Sequence, residues 1–156
     1  MNNFGLVVIG AHSGVWLKPL FDEYQNQNIL LVEPVPYNVA LLKENTSKYS
    51  NISIENSAVS GRNEIKKFYY VKPDAVKKLG KHWASGIGSF DKQHILNHKY
   101  KRFMVSDTDI EQIDIQYLVF SNLIKKYSIS SIDLLQIDVE GAEFEILSSI
   151  NFEKIE

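Results

Sequence analysis

Leu6-Val7-Val8-Ile9-Gly10-Ala11-His12-Ser13-Gly14 decides how the rest of the chain is read. Four aliphatic residues empty into a short loop bounded by glycines, and a helical pattern follows. Strand, glycine loop and helix in that order let parallel α/β sheets turn backbone N–H groups toward a nucleotide-like ligand. After Gly14, Leu17, Leu20, Phe21 and Tyr24 recur at helical spacing, so one face of this segment is expected to pack on a sheet. Pro19 fits if the helix starts near Trp16, because first-turn N–H groups have no intrahelical partner. Ile29-Leu30-Leu31-Val32 is a continuous apolar run of the kind buried on both faces. Glu33 ends it about 20 residues beyond the loop, the usual distance for a ribose-hydroxyl acceptor. Loop and carboxylate together predict a nucleotide-type binding half and leave its ligand open.

Farther along, Pro36 to Lys48 reads as a second helix with Val39 and Leu42 inward, and Ile52, Ile54 and Val59 suggest a third strand running into Ser57–Ser60. Gly61-Arg62-Asn63 is turn chemistry, and residues 64–71 alternate as a hairpin-like strand. A strand is expected within residues 103–115. An amphipathic helix through Leu118, Leu123 and Tyr127 follows, with Lys125-Lys126 at its C-terminus. Ile132–Ile137 reads as a short apolar strand. Phe144, Ile146, Leu147 and Ile150 form the apolar stripe of a last helix.

Composition sets the bounds. A chain of 156 residues with 44% hydrophobic and 23% charged residues is expected to form one soluble domain, residues 1–156. Its net charge of −2 gives no reason to expect nucleic acid or an anionic membrane. With no cysteine there are no disulfides or thiolate metal sites, which fits a reducing compartment. No apolar run approaches a membrane span, and no basic flank precedes Leu6–Ile9, so a cytoplasmic location is expected.

Residues 74–102 stand apart. They hold seven Lys/Arg against Asp74 and Asp91, a local balance of +5 that leaves −7 for the rest. Trp83, the flexible-looking run Ala84–Phe90, His82, His94 and His98 lie within this insert. It is open to two readings, an acceptor-binding lid or an ordinary solvated loop. His94 and His98 would share a helix face, but two histidines without a third ligand do not make a metal site, and none is expected.

At Leu134-Leu135-Gln136-Ile137-Asp138-Val139-Glu140-Gly141-Ala142-Glu143 the chain resembles the FkbM-type methyltransferases. These are class I S-adenosylmethionine-dependent enzymes. Val32-Glu33-Pro34 with Pro36 and Asn38 is similar to their second-strand motif, and Asn56–Ser60 to their third. Gly86–Phe90 is similar to a segment before their fourth core strand. The resemblance implies an α/β, Rossmann-like sheet with helices on both faces and S-adenosyl-L-methionine as cofactor. It implies methyl transfer to an oxygen of a sugar or other small hydroxylated acceptor. Gly10, Ala11, His12 and Gly14 would face the methionine portion, and Glu33 would accept from the ribose hydroxyls. Ser57 and Ala58 would flank the adenine. Asp138, at the carboxyl end of the fourth strand, would hold the cofactor's ammonium group or serve the acceptor. Asp138 and His12 are the catalytic candidates, whereas Glu140 and Glu143 read equally well as helix N-terminal carboxylates.

Two loop residues depart from the family pattern: Val8 stands where an aspartate is usual, and His12 where an asparagine is. The aspartate's task would then weaken or pass to Asp138. The family also continues to a fifth strand where residues 150–156 stand here. The fourth strand is therefore expected to form an apolar edge, left bare in a truncated member or covered by a second copy in a homo-oligomer. Two other functions compete. A truncated, non-catalytic binding module would keep the fold without turnover. An NAD-binding Rossmann oxidoreductase calls for three close glycines, and the loop offers Gly10 and Gly14.

Overall fold

The computed structural model describes residues 2–80, 82–97, 105–139 and 141–152. Its strands are β1 (Asn2–Ile9), β2 (Asn28–Val32), β3 (Ile52–Glu55), β4 (Ala58–Val59), β5 (Glu64–Val71), β6 (Gly88–Ser89), β7 (Ile110–Leu118) and β8 (Ile129–Ile137). Its helices are α1 (Lys18–Glu23), α2 (Pro36–Thr46), α3 (Pro73–Leu79), α4 (Lys92–Asn97), α5 (Phe120–Tyr127) and α6 (Glu143–Ser149). They divide into two compact units, residues 65–115 and the remainder.

The larger unit is built on a parallel sheet in the order β3-β2-β1-β8. Alternation along its strands explains why both faces are buried. Val7, Ile9, Leu30 and Val32 point to one side, where Phe120 and Leu123 of α5 and Ile146 of α6 meet them. Leu6, Val8, Ile29 and Leu31 point to the other, against Leu17, Phe21 of α1 and Leu42 of α2. The expected α/β sheet with helices on both faces is the fold observed. Pro19 sits in the first turn of α1, where its missing N–H costs nothing. Within the described residues β8 has β1 as its only strand neighbour in this sheet.

Three expectations are corrected. The third strand is not continuous: β3 ends at Glu55, and β4 pairs instead with Tyr117 and Leu118 at the end of β7. The break lies at Asn56, whose Nδ2 donates to the carbonyls of Glu33 and Pro34 and so turns the chain out of the sheet. In α6, Ile146 and Ile150 are buried but Phe144 and Leu147 face solvent, so the apolar stripe is two faces. Ala84–Phe90 is not a loose run either. Ala84, Ile87 and Ser89 are buried, the first two in a cluster with Val71, Ala75, Ile95, Val105 and Ile110 that forms the smaller unit's own core.

That smaller unit contains the basic insert, and three of its lysines form ion pairs within the unit. Lys92 pairs with Asp107 at 2.6 Å, Lys77 with Asp74, and Lys67 with Asp114. His94 lies in α4, whereas His98 lies outside the described residues. Among the described residues no group of His, Asp and Glu could hold a metal ion, and no helix is long and apolar enough to cross a membrane.

Candidate functional site

The loop after β1 owes its shape to three positive φ angles at alternate positions: Gly10 at 89°, His12 at 51° and Gly14 at 74°. At Gly10 only glycine fits, because an added Cβ would lie 1.9 Å from the Asp138 carbonyl oxygen. That close approach joins the carboxyl ends of β1 and β8, where the Asp138 N–H also donates to the Ile9 carbonyl at 2.9 Å. On the other side, the N–H groups of Gly10 and Ala11 both donate to the Val32 carbonyl. His12 is the one non-glycine of the three. Histidine, like asparagine, is enriched in the left-handed region. Histidine at this position is therefore compatible with the left-handed conformation the loop adopts.

Glu33 is the centre of the site. Its side chain is 4% exposed and is tied to three elements. Oε2 accepts the His12 N–H at 2.9 Å, while Oε1 accepts the Val35 N–H at 3.0 Å and Asn38 Nδ2 at 3.2 Å. Burial pushes this carboxyl above its usual range, and the three hydrogen bonds pull it partly back. Pro34 and Pro36 carry no N–H, so Val35 supplies the backbone donor between them.

Ser57, two residues past the end of β3, is 1% exposed, and its hydroxyl has no hydrogen-bond partner among the described residues. An orphaned buried hydroxyl is rare in folded proteins and marks a place where a further polar group belongs. Ala58 is buried next to it. Asp138 is exposed at the end of β8, and its charge acts on the His12 ring. Burial lowers the His12 imidazole below its usual range, and Asp138 raises it by less. His12 therefore stays neutral near pH 7, with Ser13 Oγ 3.3 Å from Nδ1.

The expected residues converge. Gly10 to Gly14, Glu33 and Asp138 meet at the carboxyl ends of β1, β2 and β8, the end where open α/β sheets take ligands. Val8 does not join them. It is wholly buried, paired with Leu31 and Gln136, and faces the α1 and α2 side. Glu140 lies outside the described residues, and Glu143 is in the first turn of α6.

The opposite end of the sheet has a depression of ≈ 500 Å³ lined by Asn and Gln side chains. Amides there donate to backbone carbonyls: Asn2 to Tyr127, Asn28 to Asn3, and Asn51 to Gln27. They secure the strand starts.

A family model, the methyltransferase FkbM domain, matches residues 9–156. The chain belongs to the FkbM methyltransferase family. No curated protein and no solved structure matches it. In this FkbM domain, Asn38, Val35 and Asn56 organise the site, and sequence reasoning had not given them roles. The signal for Val35 was present in Glu33-Pro34-Val35-Pro36, where it holds the one backbone N–H between two prolines.

Proposed function

We propose that this chain binds S-adenosylmethionine at the carboxyl end of β1, β2, β3 and β8 and methylates an oxygen of a small hydroxylated acceptor. The observation that carries the reading is the buried Glu33 carboxylate, whose Oε2 accepts, among the described residues, one donor, the His12 N–H of the left-handed loop. The buried Ser57 hydroxyl, without a partner among the described residues, is consistent with a second polar contact to the same ligand. A dinucleotide fits less well, because only Gly10 and Gly14 are available for close approach to a pyrophosphate.

When bound, S-adenosylmethionine supplies a methyl group already activated by its sulfonium. The protein's part is alignment and proton management. Glu33 would accept from ribose, Ser57 and Ala58 would border the adenine, and Gly10 to Gly14 would line the methionine portion. Asp138 would attract the ammonium group. His12, neutral near pH 7, would take the proton from an acceptor hydroxyl at Nε2 or Nδ1, a contribution of about 100-fold or more.

Calorimetric titration with S-adenosylmethionine, S-adenosylhomocysteine and NAD tests the reading. Selective binding of the first two is expected. Binding of NAD instead, or of none of the three, overturns it.

A further inference from the structure

The start of the Gly10–Gly14 loop is fixed by the sheet, through the Gly10 and Ala11 N–H groups on Val32 and the Ile9 carbonyl on Asp138. Its end is braced by α2. Asn45, in the last turn of that helix, donates from Nδ2 to the Ser13 carbonyl at 2.8 Å. Leu42 stands three residues earlier on the same helix face, so close that a Cβ at Gly14 would lie 2.5 Å from its Cδ1. The peptide between Ser13 and Gly14 is thus held at both ends. Asn45 fixes its carbonyl, and its N–H donates to the Ala11 carbonyl at 3.0 Å. On either side of Ser13 stand the left-handed residues His12 and Gly14. A non-glycine residue in that region keeps its shape only where its surroundings over-determine it.

Asn45 is exposed, at a helical position where alanine or leucine would favour the helix more. What asparagine adds there is an amide that reaches the loop. We propose that Asn45 is a positioning residue: by holding the Ser13 carbonyl it keeps the loop in the shape that receives the methionine portion of S-adenosylmethionine. The inference rests on the S-adenosylmethionine reading of the site. Asn51 provides the comparison. Its Nδ2 also donates to backbone carbonyls, those of Tyr24 and Gln27, at the opposite end of the sheet. Two merely structural amides would behave alike when removed, and a positioning amide would not.

The test joins amide exchange of the ligand-free full chain, read by NMR, to calorimetry with S-adenosylhomocysteine. In Asn45→Ala the Gly14 amide is expected to exchange about fivefold faster or more, while the Gly10 amide stays within about twofold. Affinity is expected to fall about 3- to 10-fold, the worth of one neutral hydrogen bond. The urea midpoint should stay near that of wild type, because the better helix propensity of alanine offsets the lost bond. Asn45→Asp keeps the shape but replaces the donor with an acceptor, and is expected to lose at least as much affinity. Asn51→Ala is expected to lower the urea midpoint and leave Gly14 exchange and affinity unchanged. Wild-type affinity in both Asn45 variants, or an equal loss in Asn51→Ala, overturns the proposal. Failure of the wild-type chain to bind S-adenosylhomocysteine overturns the cofactor reading instead. The Gly14 amide then still decides whether Asn45 holds the loop, and unchanged exchange in both Asn45 variants shows that it does not.

Discussion

Glu33 and Glu55 stand at the carboxyl ends of neighbouring parallel strands, with the Glu33 N–H donating to the Glu55 carbonyl at 3.0 Å. Both side chains are buried, yet they are satisfied in opposite ways. Glu55 Oε2 takes Lys126 Nζ at 2.6 Å and the Tyr127 hydroxyl at 2.8 Å. Its charge is met by a cation, and it ties β3 to the end of α5. Burial, with Glu55 second, holds the Tyr127 phenol well above its ordinary range. Among the described residues Glu33 is met by neutral donors, two backbone N–H groups and an amide. One carboxylate is paired with a cation and joins two elements, and the other is held by neutral donors at the end of the sheet where the ligand is proposed to bind.

The largest expected effect that separates the two is on binding. Glu33→Ala should weaken S-adenosylhomocysteine by about 100-fold or more, because a charged acceptor and the anchor of the loop are lost together. Glu55→Ala should leave affinity within about threefold while lowering stability by about 2–4 kcal/mol in urea titration. Equal losses of affinity in the two variants would erase the distinction. Next in size, Lys126→Ala leaves Glu55 with Tyr127 alone. Since the Lys126 side chain is 55% exposed, the cost is expected near 1–2 kcal/mol by the same titration. Tyr127→Phe should cost about 1 kcal/mol, one hydrogen bond to a charged group less the burial regained.

The smallest effect is in pH. The Glu33 carboxyl is raised by burial, so the folded state binds its proton more readily than the unfolded chain. Its contribution to stability therefore falls as pH rises through the window just above the ordinary glutamate range, and is flat beyond the folded value. Glu33→Gln lacks this term. The wild-type stability measured relative to Glu33→Gln should improve as the solution is acidified through that window. A difference that is independent of pH would mean that the carboxyl is not perturbed.

Much of the fold was legible because the two sheet-forming runs, Leu6–Ile9 and Ile29–Val32, are apolar at every position, which in a parallel sheet means two covered faces. Boundaries at Ile137 and Glu33 were legible for the reverse reason: charge appears where burial ends. The break at Asn56 was not legible, because Ile52, Ile54 and Val59 keep a strand-like pattern across it. What interrupts the strand is a side-chain amide bonding carbonyls 22 and 23 residues away. Phe144 was misplaced for a related reason. Its apolar character suggested a core face, but Ile146 and Ile150 already fill the space beneath α6. At the site, Glu33 and the loop residues could be found from spacing. Asn38 could not, since its role depends on how an oxygen already occupied by Val35 is completed.

The order β3-β2-β1-β8 sets a constraint on how the sheet is assembled. β1 finds β2 after a short helical crossover, but its other neighbour begins at Ile129, and Asn2 pairs with that residue. Contacts so distant along the chain carry a loop-closure cost before they give any stabilisation, and they slow folding. At about 5–20 residues per second, synthesis alone would separate the two strands by many seconds. Throughout that interval the flank of β1 that will receive β8 is a row of unpaired backbone groups on a strand whose last four residues are all aliphatic. The nascent chain is therefore most exposed to chaperone capture or misassociation at Leu6–Ile9, the stretch that later carries the loop.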